Sequence, residues 1–407
     1  MSDPVPPDPV PEPEPAPALN PALDPALDIA FLFIGGQHHF LHGAPVAAAL
    51  SRHPDVGITA YVNDRADAVA LADMLQSLGA GTLAIIELAL PAWLVKRLEW
   101  FDKSGHFKTP RLLWWNRRLK RHDALVCLER TTTQLHRMPG KCPLILHIPH
   151  GAGDRAKGFE RRLSLFDHVI VAGDKDRARM IEEKLLSPAQ ISVSGSVKLA
   201  GIRRLQAQPP RFFNNNRPII LYNPHFDQSL GSWDIMARAL IGRIAADGRY
   251  NLIVAPHVRL FEDADAATRR RWTDLVTPDH VHIDLGSELS SDMSYTRAAD
   301  IYIGDVSSQI YEFLSHPRPA IFLNAHHVAW QEDKNYRMWH FGEVIERIED
   351  IIPALERAPS LHPGYAPVQV EAVRQALGAA SLDGESRGAD EIAADHIIAT
   401  IRSKTAL

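Results

Sequence analysis

The chain has 407 residues, with 44 Lys/Arg, 49 Asp/Glu and two cysteines. At roughly 100–200 residues per domain it holds two or three domains. Its 45% hydrophobic and 23% charged residues exclude collagen-like, disordered and disulfide-scaffold classes for the bulk of the chain. Cys127 and Cys142 cannot make a disulfide framework, which favours a reducing cytoplasm. No apolar run reaches the ~20 residues of a membrane span, and the N-terminus lacks a signal-peptide pattern.

The net charge of −5 is carried by one end. Residues 1–28 contain six acids, no Lys or Arg, and 10 of the 30 prolines, and the rest of the chain sets 43 acids against 44 bases. A segment this rich in proline and short of bulky apolar residues cannot bury a core, so 1–28 is expected to be a disordered acidic tail.

From Ile29 apolar runs of five to seven residues alternate with helical stretches. Strands are predicted at 29–35, 56–62, 82–88, 124–128, 144–148, 168–172 and 191–194, with helices at 41–50 and 66–78. Residues 206–216 hold Pro209, Pro210 and three consecutive asparagines and read as a linker. The alternation then restarts, with strands at 218–222, 252–255, 281–284, 301–304 and 320–323 and helices at 233–246 and 264–275. Ile392, Ile397, Ile398 and Ile401 suit a final amphipathic helix over 390–403. The class is therefore α/β: two doubly wound Rossmann-like domains, 29–205 and 217–380, facing a cleft, with 381–407 as a C-terminal tail and helix. In such sheets ligands bind beyond the carboxyl ends of the strands.

Those loops carry unusual residues. His147-Ile-Pro-His150-Gly151-Ala-Gly153 follows the 144–148 strand. A neutral imidazole there can take a proton from an attacking hydroxyl, and the same residues also make an ordinary tight turn. Tyr222-Asn-Pro-His225-Phe-Asp227 and Ala255-Pro-His257-Val-Arg259 follow the first two strands of the second half. His257 and Arg259 together can donate charge-assisted hydrogen bonds to a phosphate. In Gly304-Asp305-Val306-Ser307-Ser308 a strand ends and a helix is predicted to start near Ser307. Free N–H groups and two hydroxyls there would bind an anion, and Asp305 or Ser307 would also serve as a helix cap. His38, His39 and His42, after the first strand, lack a metal-ligand spacing. Gly35-Gly36 lacks the rest of a dinucleotide fingerprint.

Between Trp93 and Arg121 lie four of the eight tryptophans, Trp93, Trp100, Trp114 and Trp115. From Lys96 to Arg121 there are nine Lys/Arg, Arg117 and Arg118 among them, against two acids. Aromatic rings beside clustered cations suit an anionic membrane surface. The alternative is a surface helix pair with a solvated basic face. Nucleic acid is disfavoured by a near-neutral body.

The segment Asp300–Phe313, followed by Arg318-Pro319, resembles the signature of the CDP-glycerol glycerophosphotransferases, teichoic-acid polymerase and primase enzymes of GT-B type. His150-Gly151 matches the family's His-Gly step. Tyr222-Asn-Pro224-His225-Phe226-Asp227 and His257-Val258 match its later motifs in part, with His225, Asp227 and Val306 departing from it. The resemblance spans about residues 144–323. It implies a GT-B fold and no cofactor. It also implies a CDP-activated polyol or other nucleotide-activated donor held by Ser307, Ser308, Asp305, His225, Arg259 and Asp292. His150 and His257 would be catalytic, and the acceptor would be a lipid-linked or glycan hydroxyl at the inner membrane face. Two other readings compete. One is a GT-B nucleotide-sugar glycosyltransferase or UDP-sugar 2-epimerase, echoed by Ala44-Pro45-Val46 and Pro54-Asp55-Val56. The other is a non-catalytic membrane-binding protein.

Overall fold

The computed structural model describes residues 26–98, 100, 107–151, 154, 159–206, 208–277, 279–379 and 387–405. The disorder expected of the acidic tail therefore falls almost wholly outside the described residues, as does Gly153.

Residues 26–205 build the first sheet. Its strands are β1 (Leu27–Phe33), β2 (Val56–Val62), β3 (Ala84–Glu87), β4 (Ala124–Cys127), β5 (Leu144–His147), β6 (His168–Val171) and β7 (Ile191–Val193). All pair in parallel, in the order β3-β2-β1-β4-β5-β6-β7. Between them run α1 (Phe40–Leu50), α2 (Arg65–Ser77), α3 (Ala92–Leu98), α4 (Lys108–Leu119), α5 (Asp174–Glu182) and α6 (Val197–Leu205). The strands are continuous apolar runs because both faces are covered. One face packs on α1 and α2, the other on α4 and α5. All but one residue of α1 are buried, because it is clamped between this sheet and α6.

The second sheet holds β8 (Ile219–Asn223), β9 (Asn251–Val254), β10 (Val281–Ile283), β11 (Ile301–Gly304), β12 (Ala320–Leu323) and β13 (Glu343–Ile345). They too are parallel, in the order β10-β9-β8-β11-β12-β13. Its helices are α7 (Trp233–Asp247), α8 (Ala266–Thr273), α9 (Ser294–Ala298), α10 (Gln309–Phe313) and α11 (Ile351–Leu377). Each sheet reverses its strand order once, at β1/β4 and at β8/β11, and those reversals open the crevices where ligands bind.

Two C-terminal elements complete the fold. The 27-residue α11 contains Pro359, Pro363 and Pro367, which argue against a helix. Spaced four apart, they share one exposed face, where the carbonyls left without a donor meet water. The opposite face buries Ala354, Leu355, Val373 and Ala376. The C-terminal helix, α12 (Ala389–Thr405), is not a separate tail. Its Ala393, Ile397 and Ile401 are fully buried in the core of the first domain. The chain returns there at Gly378, where a Cβ would sit 2.8 Å from the Cα of Gly195.

Candidate active site

At the first reversal, the loop after β1 brings His38, His39 and His42 beside the loops after β4 and β5. His150 Nδ1 lies 3.1 Å from the Leu128 carbonyl. A carbonyl only accepts, so the ring proton is on Nδ1 and Nε2 carries the lone pair. The His150 ring lies 4.2 Å from that of His39, tilted 35°, and 6.2 Å from His42. His39 is buried, with Nδ1 3.6 Å from Glu129 Oε1, which pairs with Lys108 at 2.8 Å. A Cβ on Gly35 would meet His39 Nδ1 at 2.0 Å, so the double glycine makes room for this ring. His150 is solvent-exposed, with charged and imidazole side chains close by. Desolvation lowers its pKa, Glu129 and the Leu128 carbonyl oppose that, and Arg130 and Lys108 add to it. The ring stays neutral near pH 7. His147 is structural: it donates to the Cys127 carbonyl at 2.9 Å and stacks on Phe166 at 4.5 Å. Burial drives its pKa to about 3.

At the second reversal His225 and His257 stand 5.9 Å apart, centroid to centroid. His257 Nδ1 accepts the Arg259 N–H at 3.2 Å and His225 Nδ1 accepts the Asp227 N–H at 3.1 Å. Nδ1 accepts in both rings, so each carries a proton on Nε2, the opposite arrangement to His150. Desolvation, with His225 and Arg259 nearby and His38 and His150 from the other domain, pushes His257 down to about 3. The two halves of the histidine cluster thus face one another across the cleft. Arg259 is exposed at the rim, its guanidinium 4.3 Å over the Phe226 ring.

The other expected donor residues divide. Asp305 is buried, and its carboxylate is spent on the fold. Oδ1 accepts the N–H groups of His225 at 2.8 Å and Val306 at 2.6 Å. Oδ2 accepts the N–H of Ser232 at 2.7 Å and its hydroxyl at 2.9 Å. It therefore shapes the His225 loop from beneath. Ser307 is also buried, its Oγ accepting from Gln309 N at 3.4 Å. Ser308 lines the interdomain space, and a side chain on Gly151 would begin 3.4 Å from its Oγ. The helix expected near Ser307 begins only at Gln309 and lasts five residues, too short for an appreciable macrodipole. Any anion recognition there falls to hydroxyls and imidazoles. Asp292 uses Oδ1 to accept the Ser294 N–H at 2.8 Å, at the start of α9.

The tryptophan-rich segment borders this site only at Lys108, the first residue of α4. α4 is anchored by buried Arg111, which donates to the carbonyl of Asn63 at 2.7 Å. Trp93, Trp100 and Trp114 are 64%, 83% and 53% exposed, with Leu113 at 61%. Arg117 and Arg118 are exposed. Trp115 differs from the other three, being partly buried and donating to the Ala89 carbonyl at 2.9 Å. Among the described residues no helix is long and apolar enough to cross a membrane.

His38, His39, His42 and Glu129 were not singled out by sequence reasoning as parts of this site. The available signal was three histidines directly beyond the first strand's carboxyl end, a place that matters once the strand order is known.

No family model matches the chain, and no curated protein matches it in sequence. Solved structures do match in fold. A Listeria monocytogenes chain described as a UDP-N-acetylglucosamine 2-epimerase aligns with TM-score 0.61 at 12% identity, over 93% of this chain and 96% of its own. The UDP-GlcNAc 2-epimerase of Neisseria meningitidis, bound to UDP-GlcNAc, gives 0.57 at 14%, over 93% and 100%. The wall teichoic acid polymerase TagF, as an H444N variant soaked with CDPG, gives 0.57 at 13%, over 93% and 90%. The chain has the GT-B fold.

Proposed function

We propose that this chain is a GT-B transferase that moves a polyol-phosphate group from a CDP-activated donor to a hydroxyl of a membrane-associated acceptor. The observation that carries this reading is the opposed tautomers at the two reversals: a lone pair on His150 Nε2 in the first domain, and N–H donors on His225 and His257 Nε2 in the second. One side suits a base and the other an anionic donor. His150 Nε2 takes the acceptor's hydroxyl proton as the oxygen attacks the polyol-bearing phosphorus. The bond from that phosphorus to the bridging oxygen breaks, and CMP leaves with that oxygen. Charge building on the leaving phosphate meets the Nε2–H groups of His257 and His225, the Ser308 hydroxyl and Arg259. The fold shared with TagF supports the reading, as does the match of His150-Gly151 and the Asp305–Ser308 segment to the family pattern. The exposed Trp93, Trp100 and Trp114 with Arg117 and Arg118 would hold the cleft near an anionic membrane surface.

A thermal-shift screen with CMP, CDP, CDP-glycerol, UDP and UDP-GlcNAc tests the donor. At ~100 times its dissociation constant a ligand stabilises by ~2.7 kcal/mol. Stabilisation by the cytidine compounds is expected. His150→Ala should retain CMP binding and lose transfer. Stabilisation by uridine compounds alone overturns the proposal in favour of a nucleotide-sugar enzyme.

A further inference from the structure

A small interdomain cavity of about 40 Å³ is bordered by His42, Gly151, Lys198, Ser308, Tyr311 and Glu312. It is bridged by polar contacts that the proposed chemistry does not use. Tyr311 of α10 donates its hydroxyl to Asp154 Oδ2 at 2.6 Å, across 157 residues of sequence. Asp154 Oδ1 pairs with Lys175 Nζ at 2.8 Å, and that Nζ lies 4.6 Å from the Tyr311 ring centroid. Arg179 donates to the Asp154 carbonyl. Both Asp154 and Tyr311 are almost wholly buried. The next residue of α10, Glu312, pairs with Lys198 of α6 at 2.6 Å.

The positions of these two residues matter more than the strength of the bond. Asp154 lies four residues beyond His150, and Tyr311 lies three beyond Ser308. The hydrogen bond therefore ties the segment that carries the base to the segment that carries the Ser308 hydroxyl. A buried carboxylate holds such a place only when its charge is paired and its oxygens are bonded, and Lys175 and Tyr311 supply one partner to each oxygen. Transfer needs the base and the donor aligned to within a few tenths of an ångström.

We propose that Tyr311 and Asp154 are positioning residues: their hydrogen bond latches the His150 segment of the first domain onto the Ser308 segment of the second and sets the geometry of the cleft. The proposal rests on the transferase reading for its catalytic consequence, but the latch can be read without substrate.

The experiment uses the full chain with 13Cε1-labelled histidine, and Tyr311→Phe, which removes one oxygen and keeps the ring. His150 is faced by Glu129, Lys108, Arg130, His39 and His42. In the wild type it should titrate below 6.5. In Tyr311→Phe, with the segment released into water, it should move up towards 6.5. Transfer should show kcat at least tenfold lower with the donor KM within twofold, and the acid limb of the pH profile should shift with the NMR value. Asp154→Asn, which keeps an oxygen for the Tyr311 hydroxyl and breaks only the Lys175 pair, should move both readouts in the same direction but less. It serves alone if Tyr311→Phe does not fold. The double variant should go no further than Tyr311→Phe. A His150 titration unchanged in the folded single variants overturns the latch, as do additive effects in the double variant. Wild-type protein without transfer activity but with the titration shift overturns the transferase reading and leaves the latch standing.

Discussion

Removing the Asp305 carboxylate should destabilise the second domain before it affects any ligand. Four donors converge on it: the N–H groups of His225, Val306 and Ser232, and the Ser232 hydroxyl. The hydroxyl has a second partner in Tyr222 at 2.8 Å, but Asp305→Ala strands three N–H groups. A buried unsatisfied donor costs about 1–3 kcal/mol. Taking the low end for each gives about 3 kcal/mol, which at about 2–4 °C per kcal/mol lowers the melting temperature by about 6–12 °C. Asp305→Asn keeps one oxygen for His225 and Val306 and turns an amide towards the Ser232 N–H. It should lose about a third of that, since one donor rather than three is left unpaired. Both variants should weaken nucleotide binding, because the His225 loop is no longer held. Urea and thermal denaturation, with calorimetric titration of CMP, read the two effects separately. A wild-type melting temperature combined with lost nucleotide binding would refute the argument and make Asp305 a direct contact.

Three further outcomes follow from the same geometry. Gly35→Ala should drive the His39 ring off His150, at a cost of about 1–3 kcal/mol from overpacking, and lower transfer at least tenfold; unchanged stability and turnover would sink the packing argument. Stability should be flat above pH 6.5 and fall as pH drops towards 3. In that range unfolded histidines bind protons that His147 and His257, at about 3, and His168, at about 4, refuse when folded. Each contributes about 1.4 kcal/mol per pH unit at most. Urea titrations at pH 7.5, 6 and 5 measure it, and His147→Asn should flatten the slope. Arg117→Ala with Arg118→Ala should weaken sedimentation with anionic vesicles by about 2 kcal/mol, roughly thirtyfold, while neutral vesicles show little change. Equal binding by wild type and variant would remove the membrane role from this face.

The alternation of apolar runs and helical stretches was enough to place twelve of the thirteen strands and the division into two doubly wound domains. Buried parallel strands must be apolar throughout, and that signal is local. The exception was β13, three residues long with only one of them fully buried, where burial leaves little mark. The sequence reading did not cover α11, whose prolines count against a helix unless one knows that they share a solvent face. Local rules read the helix of α12 over 390–403 but not its docking, because nothing in its own residues says that the first domain lacks a covering helix.

The candidate site divides in the same way. That histidines, serines and glycines follow strand ends was legible, and with it the placement of His150, His225 and His257 beyond those ends. Strand order was not, and strand order decides which loops meet. Only the tertiary structure put His39 and Glu129 beside His150, and spent Asp305 and Ser307 on the fold. It assigned opposite tautomers to histidines that are identical in sequence, through one carbonyl acceptor and two backbone donors. Sequence by itself determined which residues follow each strand end, because that depends only on where each strand stops. Their roles depend on hydrogen bonds made over tens of residues, from Leu128 to His150 and from Asp305 to His225, and those exist only once both sheets are assembled.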